Sequence, residues 1–218
     1  MIEGPLEIET IESAPFAENT YVAHLAAGTA CVVFDPGMEP DRIVEYVERR
    51  GLQPAARRVT HGHADHIAGR PELKQRWPAV PIVIGRGEAN KLVDAWENLS
   101  AQFGLPVTTP PADVLLDEGP FTVGGLEFDV AAIPGHSSGH VVFIWRGGPR
   151  PVVFGGDVLF QGSIGRTDFP GGSFAALAAG IRSKLYVLPD DALVLPGHGP
   201  PTTIGREKRS NPFVSGTT

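Results

Sequence analysis

Thr60-His61-Gly62-His63-Ala64-Asp65-His66 sets three imidazoles and one carboxylate within seven residues. The stretch stands where an apolar run closes at Val59-Thr60 and a helical pattern opens from Ile67. In an extended or turning segment, side chains two apart point to the same side. His61 and His63 are thereby placed to grip one metal ion. Asp65 and His66, at the start of the helix, point elsewhere and can serve a second. Imidazole and carboxylate are ordinary nitrogen and oxygen donors for such ions.

The same grammar recurs further along the chain. An apolar run stops, glycine or proline turns the backbone, and one residue able to bind metal follows. The runs are Ala131-Ala132-Ile133-Pro134-Gly135-His136, Val152-Val153-Phe154-Gly155-Gly156-Asp157 and Leu193-Val194-Leu195-Pro196-Gly197-His198. Loops at one edge of a rigid scaffold are where sites are built, and glycine there lets the backbone pass close to an ion.

Around these stations, apolar runs and alternation predict strands at 6–11, 21–25, 30–34, 57–60, 80–84, 121–123, 126–133, 141–145, 152–154 and 192–195. Helical spacing and stop signals predict helices over 39–50, 65–77, 88–103 and 174–185, with a short one near 204–209 and a polar tail at 215–218. This order suits an α/β protein of two sheets with helices on their outer faces. No composition break marks a second domain, so the expectation is one domain over residues 1–218.

Hydrophobic content of 42% and charged content of 20% fit an ordinary soluble globule. The net charge of −7 argues against nucleic acid as the main partner, because phosphate contacts need a basic face. One cysteine, Cys31, leaves no internal disulfide and makes a reducing cytoplasm the default. Residues 1–5 lack the basic and apolar regions of a signal peptide. Apolar runs such as 141–145 are far too short to span a bilayer. The expectation is a cytoplasmic enzyme acting on a small molecule, with neither nucleic acid nor membrane as partner.

With its four stations, the chain from Asn19-Thr20-Tyr21 to Asn211-Pro212 resembles the metallo-β-lactamase superfamily. Two stretches narrow the match: Gly162-Ser163-Ile164-Gly165-Arg166-Thr167-Asp168-Phe169-Pro170-Gly171-Gly172 and His198-Gly199-Pro200-Pro201-Thr202-Thr203-Ile204-Gly205. They look like the short glyoxalase II-like, or hydroxyacylglutathione hydrolase-like, branch. The resemblance implies an αββα sandwich of two mixed β-sheets flanked by helices, with the site along one sheet edge. It implies one metal on His61, His63 and His136, a second on Asp65, His66 and His198, and Asp157 bridging both. It further implies a metallohydrolase that cleaves a thioester such as S-lactoylglutathione with two divalent metal ions. Zinc is the first choice, and iron or manganese also suit a set of nitrogen and oxygen donors without thiolate. On this reading Asp65 and Asp157 are the candidate catalytic residues, and Arg166 is the candidate substrate-binding residue. The same superfamily offers two alternatives: a persulfide dioxygenase with one iron on His61, His136 and Asp157, and a lactone or ester hydrolase.

The remaining polar residues have plainer readings. His24 reads as a structural strand histidine. His140 is either a residue that orients a ligand or a strand-start histidine. Asp35, before Pro36-Gly37, reads as a turn former rather than as a contact to a ligand histidine. Asp168 reads as an ion-pair partner of Arg166. Arg206, Lys208 and Arg209 read as a solvated basic face. The segment 86–111 is placed to cover the site, with Trp96, Phe103 and Leu105 expected mostly in core packing. Cys31 reads as a small buried hydrophobe.

Overall fold

Successive residues of the central strands are buried on opposite faces, and this sorts the apolar side chains into separate layers. The computed structural model describes residues 5–215. The expected features at 1–4 and 216–218 lie outside the described residues. In chain order the first strands are β1 (Leu6–Ser13), β2 (Glu18–Leu25), β3 (Ala30–Phe34), β4 (Gln53–Val59), β5 (Ile82–Gly85), β6 (Val114–Leu116) and β7 (Gly119–Val123). Then come β8 (Leu126–Ala132), β9 (Val141–Trp145), β10 (Val152–Gly156), β11 (Leu159–Phe160), β12 (Ser163–Ile164), β13 (Leu193–Pro196) and β14 (Thr202–Thr203). The helices are α1 (Pro40–Arg49), α2 (Ala64–Ile67), α3 (Arg70–Arg76), α4 (Phe174–Gly180) and α5 (Ile204–Ser210).

One sheet runs β1-β2-β3-β4-β5-β6, antiparallel across its first two pairings and parallel across the rest. The other runs β14-β13-β10-β9-β8-β7, and only its β10–β13 pairing is parallel. β11 and β12 form a separate ribbon. Tyr21, Ala23, Val32 and Phe34 of the first sheet meet Phe128, Phe143 and Phe154 of the second in the layer between them. Phe34 stacks on Phe154 with ring centroids 3.9 Å apart. The alternate residues Val22, Cys31 and Val33 turn outward beneath α1 and α3, against Ile43, Val47 and Leu73. Val142, Ile144, Val153 and Val194 do the same beneath α4. The molecule is therefore the expected αββα sandwich. Because its central strands are covered on both faces, they read as unbroken apolar runs.

Several boundaries differ from expectation. The helix expected over 65–77 is two helices, α2 and α3, broken at Gly69. The Gly69 N–H bonds the Pro36 carbonyl at 3.0 Å, and Pro71, lacking an N–H, opens the new helix. The helix expected over 88–103 is two 3₁₀ segments, Arg86–Leu92 and Ser100–Phe103. Between them the Asn98 amide donates to the carbonyls of Lys91 and Val107, replacing a helical ladder. The helix over 174–185 ends in a π turn at Ile181–Leu185. β4 begins before the expected 57, at Gln53. Its Arg58 is fully buried, with the guanidinium 4.4 Å from the Phe121 and Phe128 ring centroids and 4.6 Å from that of Phe143. The strands β6, β11, β12 and β14 are two or three residues long, too short for alternation to register.

Candidate metal centre

The strands carrying the polar stations end at one edge, where the loops are laced together by backbone bonds. The Val141 N–H donates to the Thr60 carbonyl at 2.9 Å, joining the two sheets beside the histidine stretch. The Gly197 N–H donates to Gly156 at 2.8 Å, and the Asn19 N–H donates to Gly197 at 2.7 Å. Glycine at 197 is required by space, because a Cβ there would run into the Asp157 carboxylate and the His66 ring.

All seven expected donors meet at this edge. Nε2 of His136 lies 3.2 Å from Nε2 of His61 and 2.9 Å from Nδ1 of His63. Nε2 of His198 lies 3.2 Å from Oδ2 of Asp65. Asp157 sits between these groups, with Oδ2 3.4 Å from His136 and 3.6 Å from His198, and Oδ1 3.4 Å from Nε2 of His66. Three donor triplets result: His61, His63 and His136; His61, His66 and Asp157; Asp65, His66 and His198.

The other ring nitrogens decide what this gathering is for. Nδ1–H of His136 donates to the Arg166 carbonyl at 2.8 Å, and that of His198 donates to the Phe16 carbonyl at 3.1 Å. Nδ1–H of His66 donates to the Asp35 carboxylate at 3.1 Å. The Thr60 hydroxyl spends its proton on Asp35 at 2.7 Å, so it accepts from Nδ1–H of His61 at 3.1 Å. With the Nδ1 protons so placed, four Nε2 lone pairs turn inward. Nε2 of His66 and Oδ1 of Asp157 are buried and have no hydrogen-bond partner. Lone pairs crowded together without protons, beside orphaned buried acceptors, fit a cation.

The electrostatics agree for His61, His63 and His136, whereas at His198 burial is outweighed by the carboxylates Asp65 and Asp157, which draw it upward. Burial, with the imidazoles of His66, His63 and His140, holds His61 well below the usual histidine range. Burial and then His136 hold His63 down at about 3. Burial lowers His136 too, against the pull of Asp157. At neutral pH these rings are uncharged donors. For Asp157, burial acts upward, but His66, His136 and His198 outweigh it and keep the carboxylate ionised. For His66, burial acts downward and is outweighed by Asp65, Asp157 and Asp35, so the net shift is upward.

Several supporting residues are a correction to the sequence reading. Asp35 is more than a turn former: its carboxylate accepts from the Thr60 N–H at 2.7 Å and from the Thr60 hydroxyl, and it holds His66. Its φ of +46° aims the side chain inward, a conformation aspartate tolerates. Glu88, unremarked in the sequence, is fully buried beneath the centre. It accepts from the Gly62 N–H at 2.8 Å, the Gly139 N–H at 2.7 Å, the Ser137 hydroxyl at 2.6 Å and the Lys91 ammonium at 2.9 Å. One carboxylate thus ties the loop of His61 and His63 to the loop of His136. A Cβ on Gly62 would stand 2.5 Å from that of Lys91, which explains the glycine inside the motif. Of the two readings of His140, the contacts favour the supporting one: its Nε2 accepts from the Asp157 N–H at 3.1 Å, and its ring stacks on His61.

Arg166 lies on the rim, joined to Asp168 by two hydrogen bonds of 2.7 Å. Lys208 and Arg209 turn to Asp190. Cys31 is buried on the outer face of its sheet, and His24 is buried in β2 with Nδ1 on the Leu25 carbonyl. Trp96, Phe103 and Leu105 are exposed rather than in the core. Of these three, only Phe103 lines the cavity of about 410 Å³ above the donors. Among the described residues, no helix is long and apolar enough to cross a membrane.

The sequence model of the metallo-beta-lactamase superfamily matches residues 14–198, a span that contains every donor named above. The chain belongs to that superfamily. A probable metallo-hydrolase, YqgX of Bacillus subtilis, is 40% identical over 93% of this chain and 94% of its own. The hydroxyacylglutathione hydrolase GloC of Haemophilus influenzae is 38% identical over 96% of this chain and 99% of its own. Among solved structures, the BLEG-1 B3 metallo-beta-lactamase superposes with a TM-score of 0.91 at 38% identity, covering 95% of this chain and 99% of its own. A di-iron-bound form of TTHA1623 gives 0.83 at 36%, covering 94% and 99%. Membership and donor clusters together support a metal-dependent hydrolase that takes divalent metal.

Proposed function

We propose that the protein hydrolyses a thioester, with S-lactoylglutathione as the reference compound, using two divalent metal ions. The observation that carries this reading is the set of Nε2 lone pairs held inward by Thr60, Asp35, Arg166 and Phe16 around the unpartnered Asp157 oxygen. His61, His63 and His136 would hold one ion and Asp65, His66 and His198 the other, with Asp157 shared. When bound, such a pair supplies an acidified water and a Lewis-acid face for a carbonyl. The chain's own part is to fix the tautomers, keep His61, His63 and His136 uncharged, and exclude bulk water with the aromatic cavity walls. Asp65 and Asp157 carry the catalytic role because their carboxylates face the space between the donor groups. The thioester as substrate is supported by the relative named as a hydroxyacylglutathione hydrolase. Zinc suits the donor set, and iron gains weight from the di-iron neighbour.

The test pairs metal content of freshly purified protein with turnover of S-lactoylglutathione. Near two ions per chain with thioester cleavage is the expected result. One iron, no cleavage and oxygen uptake with a persulfide would replace the reading by a dioxygenase. Two ions without cleavage would keep the hydrolase chemistry and remove S-lactoylglutathione as its substrate.

A further inference from the structure

The cavity above the centre is apolar along its walls and nearly devoid of free positive charge. Phe16, Leu99, Phe103, Phe160, Ile164 and Phe169 line it. Phe16 is 45% exposed and Phe103 61% exposed, so large apolar surface faces the opening. Exposed apolar surface gathered in a concave site marks where an apolar group is received. Among the described residues, the one arginine or lysine on the lining is Arg166. Its Nε and Nη2 both donate to Asp168, and its guanidinium lies 3.9 Å from the Phe169 ring centroid. The two-pronged face that would read a carboxylate is therefore already filled. Lys91 is spent on Glu88 and Ser137 beneath the floor. The Asn98 amide is spent on two backbone carbonyls.

Glutathione brings two carboxylates and one ammonium. A site for it needs unpaired arginine or lysine, because charge-assisted pairs are what repay the desolvation of a carboxylate. We propose that the thiol half of the substrate is uncharged and apolar, an aryl or alkyl thiol rather than glutathione. This rests on the thioester hydrolase reading. The carbonyl must sit at the donors, and with an acyl half as small as lactoyl the longer half beyond the sulfur is the one that extends to the walls. Hydrolysis adds water across the C–S bond: the acyl carbon gains the hydroxyl, and the sulfur leaves as the thiol with the proton.

The experiment holds the lactoyl group constant and changes the thiol: benzyl mercaptan, N-acetylcysteamine and glutathione, each offered to the metal-loaded enzyme. The benzyl compound should exceed the glutathione compound by about tenfold or more in kcat/KM. Phe103→Ala should raise KM for the benzyl compound at nearly constant kcat, and by a larger factor than for the glutathione compound. Asp168→Asn frees the Arg166 fork, so it should raise kcat/KM for the glutathione compound alone. A wild-type preference for glutathione, or an Asp168→Asn enzyme with an unchanged ratio, overturns the proposal. If no thioester is cleaved, the hydrolase reading falls. The wall is then judged by NMR titration with benzyl methyl sulfide against S-methylglutathione. Tighter binding of the sulfide upholds an apolar wall, and tighter binding of S-methylglutathione overturns it.

Discussion

At the floor of the cavity, His61 and His66 are wholly buried and each has its Nδ1 engaged, whereas Phe16 and Phe103 on the walls stand about half exposed. The floor is over-determined. His61, His66, His136 and His198 are each held through Nδ1 by a hydroxyl, a carboxylate or a carbonyl, and the loops that carry the donors are tied by backbone bonds across both sheets. The walls come from the loop after β1, the 3₁₀ segment at Ser100–Phe103 and the residues around β11 and β12, and they present apolar side chains to the cavity. The difference separates two tasks. Metal chemistry needs fixed lone pairs and tolerates little movement, while substrate choice can be changed by single exposed side chains without disturbing the donors.

The largest expected effect comes from removing the residue shared by both halves of the floor. Asp157→Ala should lower metal content from near two toward one or none and cut turnover by more than about 100-fold. Metal analysis and steady-state rates on the same sample check this. Wild-type content and rate would show that Asp157 does not bridge.

A subtler substitution divides the floor. In Asp35→Asn, the amide can donate toward His66 Nδ1, which drives the ring proton to Nε2 and blocks the lone pair that turns inward. The second ion, on Asp65, His66 and His198, should be lost first, with about 10–100-fold lower activity. Titration with zinc should then show one tight site and one weakened site. Two unchanged sites would mean that Asp35 serves only the Thr60 turn.

That the sequence favours a turn residue at Asp35 over a contact to a ligand histidine shows where a sequence stops speaking. The sheets could be read because strands covered on both faces become continuous apolar runs, as in Val141–Trp145. His136, Asp157 and His198 could be read because each follows a glycine that ends such a run, and the other four because they crowd into one seven-residue stretch. Asp35 meets Thr60, 25 positions away, and Glu88 meets Ser137, 49 positions away. Nothing local marks either carboxylate as the partner of a distant loop. Asp35 is also a residue type that turns favour on its own account, so its two roles share one signal. The single helix expected over 88–103 gives way because Asn98 and Ser100 satisfy the backbone there through side chains in place of a helical ladder.

Glu88→Gln tests the support from beneath. It keeps an acceptor for the Gly62 and Gly139 N–H groups but leaves the buried Lys91 ammonium without its counter-charge. Breaking a buried pair in this way costs about 3–5 kcal/mol. Denaturant unfolding should show that loss, while the variant that remains folded should still bind both ions. Unchanged stability would mean that Lys91 finds another partner. Loss of metal at unchanged stability would mean that the carboxylate positions the two loops rather than anchoring the fold.

The smallest effect is expected at the rim, and it takes the form of a flat line. The double hydrogen bond from Arg166 holds the Asp168 carboxyl down at about 2. A depressed carboxylate keeps its pairing above that value and loses it only as the pH falls through it. Between about pH 5 and pH 8, where free carboxylates stay ionised, the pair is unbroken and the guanidinium fork stays filled. The ratio of kcat/KM for a neutral thioester over an anionic one should therefore not change across that range, even where the rates themselves do. Because both side chains are exposed, salt will screen their field, so the ratio is to be measured at fixed ionic strength. A ratio that climbs steadily for the anionic substrate as the pH falls would place a second titrating cation at the wall, and the division between a charged floor and a neutral wall would have to be redrawn.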